Sequence, residues 1–291
     1  MESLLSTLPV LGFAEWLITP LTFEFMLKAM GMSMLVGAVC SVLSCYMTLK
    51  SWALMGDAVS HSVLPGVVIA YLLGIPFAIG AFVFGLGAVA SIGYIESQTR
   101  IKEDTVIGIV FTGFFALGIV MISKIRSGVD LNHILFGNPL GISDGDVIQT
   151  CIISAIVLTI VLMFRKDFLL FCFDPTHAKT IGLNTTLLHY SLLAALSLTA
   201  VAGLQTVGII MVVAMLITPG ATAYLLTDRF DHMLMIATTS GVFSSVMGTY
   251  ISYYLDGATG GCIVVLQTAL FVIAMLFAPK HGILRRRSSG Y

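Results

Sequence analysis

The chain has 291 residues, of which 58% are hydrophobic and 10% charged, with a formal net charge of −1 and a mean hydropathy of +1.02. Fourteen basic and fifteen acidic side chains cannot cover the surface of a soluble fold of this length, because soluble domains carry about 25% charged residues. The composition therefore excludes a soluble globular protein, a disordered chain and a nucleic-acid-binding protein, and it predicts a polytopic membrane protein. We expect no cleaved signal peptide, because no basic stretch precedes the first apolar residues and Glu15 interrupts them.

Nine stretches of the chain are apolar and long enough to be predicted as membrane-spanning helices, because a helix needs about 20 residues to cross a bilayer. They cover residues 25–49, 53–73, 77–96, 104–124, 147–164, 188–202, 205–226, 232–254 and 258–278. The sixth stretch is short, and Gly203 and Gly208 could break the helix there, so we expect eight or nine spans. Runs of this length are too long for barrel strands, and the predicted fold class is therefore an all-α polytopic membrane helical bundle.

The distribution of basic residues predicts how the chain is oriented in the membrane. With nine spans and an internal C-terminus, seven Lys and Arg residues fall in the inner connections and four in the tail, against three outside. We therefore expect residues 1–24 to form an extracytoplasmic or interfacial segment, residues 25–278 the transmembrane domain, and residues 279–291 a basic cytoplasmic tail. An N-terminus outside the cytoplasm follows from nine spans, whereas eight spans would leave it inside.

Two connections between predicted spans are longer than the others. The outer one, residues 125–146, contains acidic, histidine and turn-forming residues. The inner one, residues 165–187, contains Asp174 followed by Pro175, which is typical of a helix that begins with an aspartate cap and a proline in its first turn. Gly182 is a plausible end for this helix. The pattern predicts a helix of about two turns on the cytoplasmic face.

Only one acidic residue and one histidine remain inside a predicted span once all of them are placed along the chain. These are Asp57 and His61. Residues four apart share one face of a helix, where a carboxylate and an imidazole can bind one divalent cation together. An ionisable side chain at membrane depth is costly and marks a candidate functional site. The pair is therefore a candidate contact for a metal ion during transport.

Three other interpretations of the pair stay open from the residues alone. Asp57 and His61 could be a structural pair that satisfies itself inside the bundle, or a proton relay in a proton-coupled secondary transporter. Asp57 could also lie in headgroup water near the inner end of its span. Two ligands do not complete a metal site, so a symmetry-related copy or other spans would have to contribute to one.

Several signatures of enzymes are missing from the sequence. It contains no GxxxxGK[ST] phosphate loop, so we expect a transport subunit that does not itself hydrolyse ATP by that route. The absence of HExxH argues against a zinc metalloprotease, and the absence of GxSxG argues against a hydrolase with a nucleophile elbow. No catalytic residues are predicted.

Residues 54–66 read LMGDAVSHSVLPG and resemble the most specific motif of the integral membrane permeases of ABC-type importers for manganese, zinc or iron. The resemblance extends from about residue 20 to residue 282. Further matches follow in order at residues 103–111, 134–138, 173–182, 204–208, 217–223, 256–261 and 278–282. The amino-acid sequence at residues 224–229 and 254–261 is most similar to the iron–manganese branch of the family.

This resemblance implies a type II, or large-bundle, ABC importer permease that lines one path as a dimer with a second copy or a paralogous permease. It implies that Asp57 and His61 are the residues of metal passage. The transported ion is expected to be manganese first, iron second and zinc third, and no permanently bound cofactor is expected.

The resemblance also implies two kinds of partner in the bacterial inner membrane system. A cytoplasmic dimer of ABC ATPase subunits is expected to contact the coupling segment at residues Asp174, Pro175, Ala178 and Gly182. An extracytoplasmic metal-binding lipoprotein is expected to dock on the outer segment at residues Asp130, His133 and Asn138.

Overall fold

The computed structural model describes residues 18–124 and 143–278 of the chain. After a helical turn at residues 18–22, these residues form twelve helices. They are α1 (Glu24–Lys50), α2 (Ala53–Ser62), α3 (Leu64–Leu73), α4 (Phe77–Gln98), α5 (Glu103–Lys124), α6 (Asp144–Met163), α7 (Arg165–Phe173), α8 (Pro175–Thr180), α9 (Thr185–Val207), α10 (Ile209–Leu226), α11 (Phe230–Leu255) and α12 (Thr259–Phe277). The predicted docking residues Asp130, His133 and Asn138 lie outside the described residues, as do most of the N-terminal segment and the whole predicted tail.

Eight helical segments of the described residues are long and apolar enough to cross a membrane, and they confirm eight of the predicted spans. Helices α2 and α3 together form one of these segments, Ala53–Leu73. The remaining predicted span, the seventh, at residues 205–226, corresponds to α10, whose apolar part, Met211–Leu226, is shorter than the others. The described chain is therefore the all-α membrane bundle that the composition predicts.

Contacts between distant helix ends show which ends lie together at one side of the bundle. At the start of α1, Lys28 Nζ lies 3.1 Å from Glu24 Oε1 and 3.0 Å from Oδ1 of Asp144, the first residue of α6. The Phe23 ring packs against Tyr253 near the end of α11, with ring centroids 6.0 Å apart. The start of α1, the start of α6 and the end of α11 therefore share one end of the bundle.

The other end of the bundle is organised around α7, and we call it the α7 end. Arg165 Nη1 of α7 lies 3.0 Å from Asp231 Oδ1 in the first turn of α11. The ring of Tyr46, near the end of α1, packs against Phe168 of α7 and Phe230 of α11, with centroid distances of 6.0 and 5.1 Å. Helix α7 thus lies across the ends of the spanning helices.

Small residues bring α1 and α11 into near contact through their backbones. A Cβ added to Gly37 would meet the Ser245 hydroxyl and would lie 3.3 Å from the carbonyl oxygen of Gly241. A Cβ added to Gly241 would meet the Ser41 hydroxyl and would lie 3.2 Å from the carbonyl oxygen of Gly37. Small residues allow such close approach of helices in membranes, where packing rather than hydrophobic exclusion drives association.

Helix α10 continues through Pro219, although a proline has no N–H to donate to the preceding turn. A serine of the neighbouring α1 supplies hydrogen bonds there. The Ser44 hydroxyl accepts from the Gly220 N–H at 2.8 Å and donates to the Ile217 carbonyl at 3.1 Å. This side chain satisfies backbone groups that lipid could not satisfy.

The sixth span is longer than predicted and ends at only one of the two expected glycines. Helix α9 extends well beyond residues 188–202 because Asn184 Oδ1 caps its first turn, accepting from the Leu187 N–H at 3.0 Å. Gly203 lies inside the helix, where an added Cβ would meet Val212 of α10. Gly208, with φ 88°, interrupts the helical structure between α9 and α10, since glycine adopts positive φ without steric cost.

We expect Gly241→Leu to separate α1 from α11 and to destabilise the protein by about 1–3 kcal/mol, because overpacking a close contact has costs of this size. Thermal unfolding in detergent, followed by size-exclusion chromatography, measures the effect. Gly87→Leu is the matched control, because an added Cβ at Gly87 meets no described atom within 4 Å. Equal melting temperatures for the two variants would contradict the prediction.

Candidate functional site

Helix α2 presents Asp57 and His61 to one another, as their spacing predicts. His61 Nε2 lies 3.3 Å from Asp57 Oδ1. Metal ions of the zinc type bind nitrogen and carboxylate oxygen at about 2.0–2.2 Å, so an ion bound by both atoms would make an angle of about 100° between them. This angle lies between the values of roughly 90° and 109° that octahedral and tetrahedral sites require. The distance between the two atoms is therefore compatible with contact to one ion.

Two phenylalanines of α5 surround the imidazole of His61. The rings of Phe111 and Phe115 stack 5.9 Å apart, and each meets the imidazole edge to face, at 5.4 and 5.2 Å. His61 Nδ1 is buried and has no hydrogen-bond partner among the described residues. A metal-binding histidine usually donates its second N–H to an oxygen that orients the ring. Here aromatic packing orients it.

A proline follows the pair and divides the span into α2 and α3. Pro65 has no N–H to donate to the carbonyl of His61, four residues before it. The Val63 N–H points to that carbonyl instead, and the regular pattern resumes where the Val67 N–H donates to the Val63 carbonyl at 3.0 Å. The carbonyl that lacks its normal helical hydrogen bond thus belongs to His61, one of the two candidate metal contacts.

Close glycine contacts hold the span in place around this proline. A Cβ added to Gly66 of α3 would meet the carbonyl oxygen of Gly80 in α4, and a Cβ on Gly80 would meet that of Gly66. On the α5 side, a Cβ on Gly118 would lie 2.9 Å from Leu64 Cβ. The junction of α2 and α3 is therefore packed between α4 and α5 with no room for larger residues.

The pair is partly accessible and incomplete as a metal site. The side chains of Asp57 and His61 are 37% and 25% exposed. Within the described ranges, no group of three or more His, Cys, Asp or Glu residues could hold an ion. At 1.5 Å per residue, the two lie about 6 and 12 Å along the helix from Ala53, in the half of their span that is nearer to the α7 end. Further ligands would have to come from water or another molecule.

The coupling segment begins as its sequence predicts. Asp174 Oδ1 accepts from the His177 N–H at 2.9 Å, and Pro175 is the first residue of α8. The helix contains six residues, slightly fewer than the two turns expected. The aspartate satisfies one of the free N–H groups at the start of the helix, and proline has no N–H that would need a partner.

The end of α8 explains the role of Gly182. The Leu183 N–H donates to the Ala178 carbonyl at 3.1 Å, and the Gly182 N–H donates to the Lys179 carbonyl at 3.2 Å. These two bonds form a Schellman motif, which requires a left-handed residue after the helix. Gly182 has φ 90° and fulfils that requirement.

Large apolar residues that are not among the four predicted coupling residues form the exposed surface around α8. Phe173, Ile181 and Leu187 are 74%, 56% and 66% exposed, whereas Ala178 is fully buried. Ala178 therefore packs α8 against the rest of the bundle, and the three apolar side chains are exposed around it. Their position outside the predicted spans, beside polar residues, is the sequence signal that could have revealed them.

Comparison with known proteins identifies the family of the chain. The profile of the ABC 3 transport family matches residues 22–278. The chain belongs to this family. The family assignment confirms the resemblance found in the sequence and makes this ABC 3 protein the membrane permease subunit of an ABC transporter.

Individual relatives of this ABC 3 permease cover almost its full length. It is 62% identical over 280 residues to the manganese transport system membrane protein MntB of Synechocystis sp., covering 95% of this chain and 92% of the relative. It is 52% identical over 258 residues to the chelated iron transport system membrane protein YfeD of Yersinia pestis, covering 89% and 87%. The solved structure of PsaBC from Streptococcus pneumoniae in complex with Fab matches with a TM-score of 0.85 and 41% identity, over 94% of this chain and 99% of that chain.

We expect Asp174→Ala to loosen the start of α8 by about 0.5–2 kcal/mol, because the variant leaves an N–H of the first turn without its cap. Hydrogen exchange of the amides in Pro175–Thr180 should accelerate accordingly. Asp174→Asn is the matched control, since its side-chain oxygen can still accept from the His177 N–H. Equal exchange rates in the alanine and asparagine variants would contradict the capping role.

Proposed function

We propose that the chain is the transmembrane permease subunit of an ATP-driven importer of divalent transition metal ions, with manganese as the first candidate, iron the second and zinc the third. The observation that carries the proposal is the Asp57–His61 pair, whose ligand atoms lie 3.3 Å apart. The names of the relatives, which refer to manganese and iron transport, support this choice of cargo. The ion is substrate, and the proposed function needs no permanently bound cofactor.

A second permease protomer, identical or paralogous, would complete the metal site. The pair provides two ligands, and a symmetry-related pair would provide two more, which is the number that a tetrahedral site requires. The outer face of α5, beside Phe111 and Phe115, supports close approach of such a protomer. Gly108, Thr112 and Ala116 recur there every four residues, a spacing that lets helices pack closely in lipid.

Two further partners would act at opposite ends of the bundle. A dimer of cytoplasmic ABC ATPase subunits would press on α8, where Phe173, Ile181 and Leu187 provide apolar contact surface. An extracytoplasmic metal-binding lipoprotein would deliver the ion. Its predicted contacts, Asp130, His133 and Asn138, fall outside the described residues and stay predictions.

The positions of the basic residues support an orientation with the α7 end in the cytoplasm. Among the described residues, seven of nine Lys and Arg side chains belong to helix ends or connections at the α7 end. They are Lys50, Arg100, Lys102, Arg165, Lys166, Lys179 and Arg229. Because basic connections stay in the cytoplasm, we infer a bacterial inner-membrane protein whose C-terminus is cytoplasmic.

The chemistry of the pair suits passage better than storage. The Asp57 carboxylate offsets part of the charge of a divalent ion, and the His61 imidazole replaces one of its water ligands. A path must bind its ion well enough to admit it and weakly enough to release it. Because the pair is partly exposed and each protomer would supply only two ligands, movement of α2 would open the site and release the ion.

A proton-coupled secondary transporter that uses Asp57 and His61 as a relay is the alternative left open by the residues. Membership of an ABC family does not favour it, because transport is then driven by a separate ATPase subunit. Metal uptake by the purified permease alone, driven by a proton gradient without ATPase or ATP, would favour the relay.

We expect Asp57→Ala to lower metal uptake by about tenfold or more, because even the loss of a group that only supports a metal ligand costs 10- to 100-fold in affinity or activity. Assembly with the ATPase and insertion into the membrane should be unchanged. ATP-dependent manganese uptake by proteoliposomes containing the whole complex measures the effect.

Asp104→Ala is the control for this experiment, since Asp104 is an exposed carboxylate in the first turn of α5. It should transport like the unmodified chain. Uptake at the unmodified rate by Asp57→Ala would remove the pair from the metal path.

The identity of the ion can be tested by ATP hydrolysis in the reconstituted complex with its binding protein. We expect stimulation by manganese, weaker stimulation by ferrous iron and least by zinc. Ligand chemistry alone does not separate these ions, because a carboxylate and an imidazole suit all three. Stimulation by zinc alone would overturn the proposed order.

A further inference from the structure

The turn that joins α1 to α2 is tightly constrained. The Trp52 N–H donates to the Met47 carbonyl at 2.9 Å, and the Ser51 N–H donates to the Thr48 carbonyl at 3.2 Å. Ser51 has φ 60°, a left-handed conformation that is unusual for a residue other than glycine. Trp52, which is 3% exposed, is the N-cap residue that directly precedes α2. The direction in which α2 leaves the turn therefore depends on what holds Trp52.

Lys50 connects this turn to α7. Its ammonium nitrogen lies 4.3 Å from the ring centroid of Phe171 in α7 and 5.8 Å from that of Trp52. Among the described residues, Lys50 has no carboxylate within the 4 Å of an ion pair. Aromatic rings attract a cation at these distances, and more strongly away from water. The positive charge therefore interacts with two rings that belong to different helices.

His189 of α9 completes the contact between the two rings. Its imidazole meets Trp52 edge to face with centroids 5.2 Å apart, and it meets Phe171 in the same way at 6.1 Å. Phe171 is 4% exposed. The four side chains of Lys50, Trp52, Phe171 and His189 form one cluster, in which the two apolar rings are buried and Lys50 and His189 are half-buried. We call it the Lys50 cluster.

The Lys50 cluster lies between α8, the predicted contact of the ATPase, and α2, which carries Asp57 and His61. On one side, α7 is joined to α8 by the single residue Asp174. On the other, Trp52 is followed by one turn of α2 and then by Asp57. A displacement of α8 would thus reach the candidate metal contacts through two short helices and one cluster of rings.

We propose that Lys50 is a positioning residue, which links the coupling segment to the helix that carries Asp57 and His61. This inference rests on the proposed function of the chain as an ATP-driven permease. In this role Lys50 would act through Phe171 and Trp52 and not on the ion itself. It keeps Phe171 and Trp52 together, so that movement of α7 is passed to α2 instead of being lost in the turn. Without this link, the ATPase would still hydrolyse ATP, but less metal would be transported per ATP.

The test measures metal transported per ATP hydrolysed, in proteoliposomes that contain the permease, its ATPase and its binding protein. Lys50→Met keeps the length and apolar stem of the side chain but removes the charge. We expect the ratio to fall about threefold or more while ATP hydrolysis continues, because the cation–π contact is lost. Lys50→Arg keeps a cation that stacks on aromatic rings and should restore the ratio.

Lys102→Met is the matched control, since Lys102 is an exposed lysine at the same end of the bundle, and its ratio should equal that of the unmodified chain. An unchanged ratio in Lys50→Met overturns the inference. So does an equally low ratio in Lys50→Arg, because the role would then not depend on the charge. If Lys50→Met lowers the yield of folded protein, Phe171→Leu replaces it, and an unchanged ratio there has the same meaning.

The failure of this inference differs from a failure of the proposed function. If the unmodified complex shows no ATP-dependent metal uptake, the proposed function fails and the inference falls with it. If the unmodified complex transports metal and the Lys50→Met complex does so with the same ratio, the proposed function stands and only the role of Lys50 fails.

Discussion

A bilayer offers the protein backbone no hydrogen-bond partner, and this constraint decides where the described chain can be irregular. Pro219 and Pro65 both remove a donor from a spanning helix, but the structure responds in two ways. At Pro219, the Ser44 hydroxyl of a neighbouring helix bridges the Gly220 N–H and the Ile217 carbonyl. At Pro65, the chain divides into two helices, and α2 becomes a separate ten-residue unit. The same residue type therefore lies within one continuous helix in one span and at a junction between two helices in the other.

The residues that could be predicted from sequence are those whose signal is local. Hydropathy identifies the spans because each must cross the apolar layer by itself. The spacing of Asp57 and His61 predicts a shared face, and their atoms lie 3.3 Å apart. Asp174, Pro175 and Gly182 predict the bounds of α8 because caps and left-handed turns depend on single residues. For the Asp57–His61 pair and for the bounds of α8, residues that are near in sequence determine the outcome.

The features that could not be predicted depend on helices distant in sequence. Phe111 and Phe115 read as ordinary apolar residues of a span, and only the packing of α5 on α2 brings them to His61. The extra length of α9 arises because polar residues continue a helix past its apolar stretch, which a hydropathy window cannot detect. Lys50 reads as a topology signal, and its contacts with Trp52 and Phe171 require α7 to fold back on α1.

The position of Asp57 and His61, one and two turns from the α7 end of their span, has an electrical consequence. In the proposed orientation, with the α7 end in the cytoplasm, an incoming ion would cross more than half of the bilayer before it met these ligands. A full crossing yields about 2.3 kcal/mol per charge for each 100 mV of membrane potential, so a divalent ion gains about twice that. If the pair is the metal contact in the proposed orientation, the resting voltage of the cell would drive the ion toward it, and occupancy of the site would follow the membrane potential as well as the external concentration.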